Sequence, residues 1–339
     1  MNRLRFLAFL ILAVVGWIVP AGALDFTDSL GRKVTLPDEI HSVLPAGPPA
    51  AVALYTVAPE KMVGWVQPFT PEQLDCISPF YRDRAVAGRL TGKKATIGAA
   101  EVKQLHPDLI IDVGDLDPQY RALADKIQTE TGIPYIVLDG SLAQTAELYG
   151  QLAALLDTGL KGQLLTLQTT SRLSRVADLK ASAIRPARIY YAQNRDDIGA
   201  MPGMSGIDQE ILDSLGAVSF NARHSDAGHQ NVTTSQVVMF DPDVVLVADA
   251  AIAQHIRSDP AWRAVRAVAA GKVHVVPSLP FGWLGSPPSV NRLIGLEWLA
   301  SLLYPEQPKR DLAADVRAFY RNYYQVDLND TQVQKLLAP

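Results

Sequence analysis

"HPDLIIDVGD", residues 106–115, and "DPDVVLVADA", residues 241–250, are two closely similar stretches of one chain. Each begins with x-Pro-Asp, continues with a run of β-forming residues and ends with small and acidic residues. Aligning the two prolines places Asp108 opposite Asp243. Because proline fixes φ and biases the preceding residue away from helix, each copy predicts a short helix, a turn and a buried parallel strand.

The rest of the chain alternates short apolar runs with helical patterns, except in residues 160–184. There, apolar residues recur at roughly helical spacing without a strand signal, and Pro186 stops the pattern. At about 1.5 Å per residue this helix would be nearly 40 Å long. An isolated x-Pro-Asp is a common turn before a strand. Because a long helix lies between the two copies, two similar lobes explain the repeated stretch better than two unrelated turns do.

Strands that alternate with helices predict crossover connections and mainly parallel sheets. We therefore predict an α/β fold of two similar lobes, each with a mainly parallel sheet flanked by helices, joined by one long inter-lobe helix. The predicted boundaries are 1–23 for a signal peptide, 24–158 for the N-terminal lobe, 159–185 for the helix and 186–339 for the C-terminal lobe.

The N-terminal segment has the pattern of an export signal. Arg3 and Arg5 precede an apolar stretch, and the small residues Ala21-Gly22-Ala23 follow Pro20. The rival interpretation is a membrane anchor, but the apolar run is shorter than the ~20 residues that a spanning helix needs. We expect cleavage after Ala23 and a periplasmic mature protein. Since no cysteine lies near that position, we do not expect a lipoprotein.

Composition limits the function further. The single cysteine, Cys76, rules out an intrachain disulfide and a cysteine-cluster metal site. The formal net charge is −4 and no basic block is present, which argues against nucleic-acid binding. The motifs G-x-S-x-G, H-E-x-x-H, G-x-G-x-x-G and the P-loop are all missing from the sequence, so we expect no enzyme activity.

The order of several short motifs resembles the helical-backbone (class III) periplasmic solute-binding proteins of siderophore, haem and cobalamin importers. The resemblance runs from about Asp25 to Tyr324 and includes "DFTDSLGRKVTLPDEIHSVLPAG", "KMVGW", "IGAAEVKQLHPDLII", "TGIPYIVLD" and "WRAVRAVAAGKVHVVP". The family implies two α/β lobes, one rigid helix, a ligand held in the cleft between the lobes and an ABC permease in the inner membrane as partner.

In such folds ligands lie beyond the carboxyl ends of the strands. Aromatic faces, adaptable methionines and arginine forks follow the predicted strands, and together they suit a bulky anionic metal chelate better than a bare ion. Each aromatic could instead pack in the core, and each arginine could be an ordinary surface charge. The predicted ligand-binding residues are Gly47, Trp65, Gln67, Arg89, Tyr191, Arg195, Met204, Phe281 and Trp283.

We expect a monomeric substrate-binding subunit without a resident cofactor, although the ligand itself can contain iron or another metal. A ferric siderophore is the first choice of ligand, and cobalamin, haem and molybdate or tungstate stay open. A periplasmic enzyme or a ligand sensor on the same fold is the alternative class. The loop with His224, Asp226 and His229 is a further candidate for contact with ligand or metal.

The resemblance also implies a permease-docking glutamate on each lobe, seven residues before the proline of the Pro-Asp strand. Those positions hold Ala100 and Ser235 here, and neither is acidic. The next residues along are Glu101 and Gln236. We therefore expect asymmetric docking, with the charge of Glu101 on one lobe and only a polar contact from Gln236 on the other.

Overall fold

The computed structural model describes residues 24–92, 94–182, 185–192, 206–220, 233–306 and 310–338. The predicted signal segment lies outside these ranges. Within them, every helix is too short or too polar to span a bilayer.

The N-terminal lobe is built on a parallel sheet of order β3-β4-β5. Isolated parallel bridges from Val43 to Met62 and from Trp65 to Val86 continue this sheet beyond β3. An antiparallel hairpin of β1 and β2 precedes it. The elements of this lobe are β1 (Leu24–Thr27), β2 (Lys33–Leu36), β3 (Val43–Pro45), α1 (Pro48–Val57), α2 (Pro71–Leu74), α3 (Ala99–Leu105), β4 (Leu109–Gly114), α4 (Pro118–Thr131), β5 (Tyr135–Asp139) and α5 (Thr145–Leu155).

The second half contains a four-stranded parallel sheet of order β7-β6-β8-β9. Two parallel sheets flanked by helices confirm the predicted fold class. A π-helical turn, Tyr320–Tyr324, lies near the C-terminus. The other elements are α6 (Gly159–Ser182), β6 (Arg188–Ala192), α7 (Gly206–Ser214), β7 (Val218–Ser219), α8 (Thr234–Phe240), β8 (Val244–Val247), α9 (Ala250–Ser258), α10 (Arg266–Ala269), β9 (Val273–Val275), α11 (Asn291–Leu303), α12 (Leu312–Phe319) and α13 (Asp330–Leu337).

The aspartate of each Pro-Asp stretch makes the same reciprocal contact with the neighbouring strand. Asp108 N–H donates to the Ser42 carbonyl at 2.9 Å, and its carboxylate accepts the Ser42 N–H at 2.8 Å. In the second lobe, Asp243 N–H donates to the Arg188 carbonyl at 2.7 Å, and its carboxylate accepts the Arg188 N–H at 3.0 Å. These aspartate latches set the register in which β3 meets β4 and β6 meets β8.

The turn before each latch also repeats. The helices α3 and α8 both end in a left-handed residue, His106 at φ 47° and Asp241 at φ 49°, directly before the proline. Histidine and aspartate tolerate this backbone region better than β-branched residues do. The repeat predicted from two short sequences is therefore a repeat of helix, left-handed cap, proline and latched strand.

The helix α6 has 24 residues and begins at the predicted boundary, residue 159. Its inward face carries Leu165, Thr169, Arg172 and Val176, all buried. Thr169 shares a 3.0 Å hydrogen bond with Tyr323, while Arg172 and Arg175 both bind the buried carboxylate of Glu297 on α11. Three leucines of the predicted apolar pattern are instead exposed: Leu160, Leu164 and Leu167.

The latch predicts a measurable stability contribution. Burial opposes ionisation of Asp108, but the N–H groups of His41 and Ser42 outweigh it and lower its pKa. We expect Asp108→Ala to reduce the free energy of unfolding by about 1.5 kcal/mol at pH 7, measured by urea denaturation. The exposed control Asp38→Ala should change it by less than about 0.5 kcal/mol.

The same measurement has a defined pH dependence. A carboxylate with a lowered folded-state pKa stabilises fully above its unfolded value of about 4, and this stabilisation is lost as pH falls through the lower folded pKa. The difference between wild type and Asp108→Ala should therefore shrink below about pH 4. A difference that stays constant into that range would show that the charge of the latch contributes nothing.

Candidate ligand-binding cleft

The two lobes touch at both edges of their sheets. At the β5 edge, Arg292 of α11 donates to the Gly140 carbonyl at 2.6 Å, and Glu210 of α7 accepts the Leu142 N–H at 3.1 Å. At the opposite edge, the Gln73 amide donates to the Pro280 carbonyl at 2.9 Å. The carboxyl ends of the central strands lie between these two contacts. The space between the lobes at these strand ends is the candidate cleft.

Two predicted site residues contact each other in the segments that follow bridged strands of the N-terminal lobe. Arg89 Nη1 donates to the Gln67 side-chain oxygen at 3.0 Å. Arg89 Nε donates to the Lys94 carbonyl at 2.9 Å, and its backbone N–H donates to the Thr96 hydroxyl. These contacts hold the guanidinium in place and use only part of its donors. Both side chains are half-buried.

The arrangement of this pair suits an anion. Because the Gln67 oxygen accepts from Arg89, the amide NH₂ of Gln67 is left as a second donor next to the guanidinium. Among the described residues, Arg89 Nη2 has no hydrogen-bond partner in the protein. A fixed guanidinium donor and an amide donor side by side can bind oxygen atoms of an oxyanion or a carboxylate.

Gly47 has a structural reason to be glycine in addition to the ligand contact that the sequence predicts. It precedes α1, and a Cβ placed there would lie 2.2 Å from the Thr91 hydroxyl. The missing side chain thus leaves room for Thr91 and not only for a ligand. Thr91 follows Arg89 by two residues, and its backbone N–H donates to the Ala46 carbonyl at 2.9 Å. Sequence reasoning missed Thr91 because a lone threonine carries no pattern.

A buried carboxyl group lies behind Thr91. The Thr91 hydroxyl donates to Asp112 Oδ1 at 3.1 Å, and the Tyr135 hydroxyl donates to Oδ2 at 3.0 Å. Burial raises the pKa of Asp112 to about 6, although the hydrogen bonds from Tyr135, Thr91 and the Val113 N–H act in the opposite direction. This network holds the Thr91 side chain against Gly47.

The four predicted aromatic wall residues are packed inside the protein. Their exposed fractions are 0% for Trp283, 1% for Trp65, 6% for Phe281 and 8% for Tyr191. The Trp283 indole N–H points to the Tyr320 hydroxyl at 3.3 Å, and that of Trp65 donates to the Tyr81 carbonyl at 2.9 Å. The prediction that Trp283 lines the cleft is therefore wrong, because its ring is buried in the core and its N–H points to a buried hydroxyl group.

Phe281 belongs to the contact between the lobes. Its ring lies 6.0 Å from that of Phe69 and 5.5 Å from that of Tyr324, centroid to centroid. The Trp65 ring lies 4.8 Å from Phe69 and 5.1 Å from Tyr55. These aromatic residues close one edge of the cleft by packing against each other, which leaves little ring surface for a ligand.

Several predicted contacts lie outside the described residues. They are Arg195, Met204, His224, Asp226 and His229. Within the described part of the chain, no group of three histidine, cysteine or acidic side chains is arranged to hold a metal ion.

The two expected docking residues occupy equivalent capping positions. The Glu101 carboxylate accepts the Gly98 N–H at 2.9 Å, and this hydrogen bond lowers the pKa of Glu101. The Gln236 side-chain oxygen accepts the Thr233 N–H at 2.8 Å. Each residue therefore caps the first turn of its own helix, α3 or α8, and each is exposed. A helix-capping role explains both residues independently of any docking.

The close approach of Gly47 and Thr91 predicts a strong interaction between two substitutions. Gly47→Ala should lower the unfolding free energy by roughly 1–3 kcal/mol, because the new methyl group overlaps the Thr91 hydroxyl. In a Thr91→Ala background the nearest remaining Thr91 side-chain atom, Cβ, would be 3.4 Å away, and the penalty should largely vanish. Urea denaturation of the four proteins measures this double-mutant cycle. Equal penalties in both backgrounds would refute the contact.

Comparison with known proteins agrees with this two-lobed arrangement. A family described as "Periplasmic binding protein" matches residues 83–279. The chain is 22% identical over 327 residues to the molybdate-binding protein MolA of Haemophilus influenzae, and the match covers 88% of this chain and 90% of the relative.

Two solved structures show the same fold. An ABC transporter solute binding protein from Sulfurospirillum deleyianum superposes with a TM-score of 0.81 at 22% identity, covering 93% of this chain and 99% of that one. The periplasmic vitamin B12 binding protein BtuF of Vibrio cholerae gives a TM-score of 0.56 at 22% identity, covering 80% and 99%. Since the family match spans more than half of the 339 residues, the chain belongs to the periplasmic binding protein family.

Proposed function

We propose that this protein captures a small oxyanion of the molybdate class in the inter-lobe cleft and delivers it to an ABC permease. The mature chain begins after Ala23, acts as a monomer in the periplasm and performs no chemistry of its own. The observation that carries this proposal is the fixed pair of Arg89 and Gln67, which presents guanidinium and amide donors together. The similarity to a molybdate-binding protein over most of the chain supports it.

The burial of the aromatic side chains favours a small anion over a bulky chelate as the ligand. Broad aromatic faces were the main reason to expect a metal chelate such as a ferric siderophore. With Trp65, Tyr191, Phe281 and Trp283 all less than a tenth exposed, the described part of the cleft offers polar donors and little ring surface. Haem and cobalamin need large apolar contact areas, so this balance favours a compact, oxygen-rich anion.

Calorimetric titration with molybdate and tungstate tests the proposal. Arg89→Ala should weaken binding by about 10- to 100-fold, because a charged hydrogen bond contributes about 1.5–3 kcal/mol. Gln67→Ala should have a smaller effect, and Arg89→Lys should recover part of the affinity. The matched control is Arg263→Ala, which removes an exposed charge from the segment before α10 and should bind like wild type.

The same titrations with a ferric siderophore, cobalamin, haem and sulfate define the ligand class. Tight binding of a chelate that Arg89→Ala leaves unchanged would overturn the oxyanion assignment. Turnover of any of these compounds at catalytic stoichiometry would instead favour an enzyme on the same fold.

Docking on the permease is the second part of the proposal. We infer that Glu101 carries a negative charge to the permease from one lobe, while Gln236 offers only a polar contact from the other. Both side chains are exposed at equivalent helix starts. Because Glu101 also caps α3, its replacement by alanine would mix a docking effect with a loss of helix stability.

Glu101→Gln separates these two effects. Glutamine keeps an oxygen that accepts the Gly98 N–H but removes the charge. We expect slower association with the cognate permease in nanodiscs and a weaker salt dependence, with unchanged ligand affinity. The control Glu130→Gln on α4 should associate like wild type, and Gln236→Glu should associate faster. If Glu101→Gln docks at the wild-type rate at every salt concentration, other residues make this contact.

A further inference from the structure

A buried arginine joins the two lobes at the β5 edge. The side chain of Arg292, in the first turn of α11, is 1% exposed. Its Nη1 donates to Glu210 Oε2 at 2.8 Å, and its Nη2 donates to the Gly140 carbonyl at 2.6 Å. One guanidinium therefore binds the C-terminal lobe through a carboxylate and the N-terminal lobe through a backbone carbonyl.

Glu210 completes a closed set of contacts. The same oxygen that accepts from Arg292 also accepts the Leu142 N–H of the N-terminal lobe at 3.1 Å. We call Arg292, Glu210, Gly140 and Leu142 the clasp. Arg292 and Glu210 each bind one group of the N-terminal lobe and one group of the C-terminal lobe. A change in the spacing of the lobes at this edge therefore breaks hydrogen bonds of both charged groups at once.

The clasp is connected to the carboxyl end of β4 through a close backbone contact. Gly140 N–H donates to the Gly114 carbonyl at 3.0 Å, and a Cβ on Gly140 would lie 2.9 Å from the Gly114 backbone. Gly114 ends β4, two residues after Asp112, which binds Thr91. On the other side, the clasp fixes α7 through Glu210. The carboxyl ends of β4 and β5 in the N-terminal lobe are thereby connected to the helices α7 and α11 of the C-terminal lobe.

We propose that the Arg292–Glu210 pair is a positioning pair that holds the cleft at its binding width before ligand arrives. Arg292 and Glu210 act through the lobes and do not touch the ligand. A cleft that already has its binding width loses less conformational entropy when the ligand binds. Weakening this preorganisation raises the dissociation rate of the ligand more than it lowers the association rate. This inference rests on the proposed function only in taking the inter-lobe space as the ligand site.

Glu210→Gln tests the clasp, because glutamine keeps an acceptor oxygen and removes only the charge. The Glu210 side chain is 37% exposed, but the substitution removes the counter-ion of the Arg292 guanidinium, which is 1% exposed. Urea denaturation of the variant therefore precedes the two measurements and checks that it is folded under their conditions. The matched control is Asp315→Asn, which neutralises the carboxylate of a salt bridge to Arg310 that does not link the lobes.

The first measurement needs no ligand. In hydrogen exchange of the free protein, Glu210→Gln should speed exchange in peptides 140–148 and 206–215. Peptides 69–75 and 279–284 at the opposite edge should exchange as in wild type, and Asp315→Asn should change none of the four. Unchanged exchange in 140–148, or equal acceleration in all four peptides, would overturn the clasp.

The second measurement uses molybdate as the probe in stopped flow. Glu210→Gln should release molybdate about tenfold faster with a nearly unchanged association rate, which a merely structural role would not produce. An unchanged release rate, with molybdate binding intact, would overturn the positioning role. If wild type binds no molybdate, the oxyanion proposal fails, and the exchange measurement alone decides the clasp.

Discussion

A reciprocal hydrogen-bonded contact between an aspartate and the next strand sets the geometry of both lobes. Asp108 and Ser42 make it in one lobe, and Asp243 and Arg188 make it in the other. Because each latch fixes the register of its central strand pair, it fixes where one strand ends relative to its neighbour: Pro45 lies opposite Ile111 in one lobe, and Ala192 lies opposite Val247 in the other. The second latch is reinforced by the Arg185 guanidinium, which holds the pKa of Asp243 well below its usual range.

The position of the residues that follow the strands depends on that register. The polar pair of Arg89 and Gln67 comes from the segments after two bridged strands, and Thr91 is held in place by a carboxyl group in β4. Aromatic packing joins the lobes at one edge, and the buried charge of Arg292 joins them at the other. A binding site bounded by contacts at both edges suits a protein that captures a ligand with little rearrangement.

The sequence was sufficient to predict the strands, the repeat and the long helix, because proline turns and apolar periodicity are local signals. It also predicted Arg89 and Gln67 as site residues, since both lie just beyond the end of a predicted strand, but it did not predict that their side chains contact each other. It was misleading for Trp283, because proximity to a strand end does not reveal whether a ring turns toward the core. The helical spacing of Leu160, Leu164 and Leu167 likewise predicted a helix but not which face of it is buried.

The residues that sequence reasoning missed share a physical reason. Arg292 meets Gly140 across 152 positions, and Thr91 meets Asp112 across 21. Such contacts depend on how the lobes and strands pack together, so no local sequence pattern predicts them. A buried arginine in an apolar helix such as α11 was the only available hint, because an unpaired charge is rarely tolerated there.

Anomalous diffraction from crystals grown with tungstate tests the central claim most directly. A tungsten peak should lie between the lobes, with anion oxygens within hydrogen-bonding distance of Arg89 Nη2 and the Gln67 amide. A peak elsewhere on the protein, or an empty cleft at saturating tungstate, would contradict the assignment of this pair as the anion site.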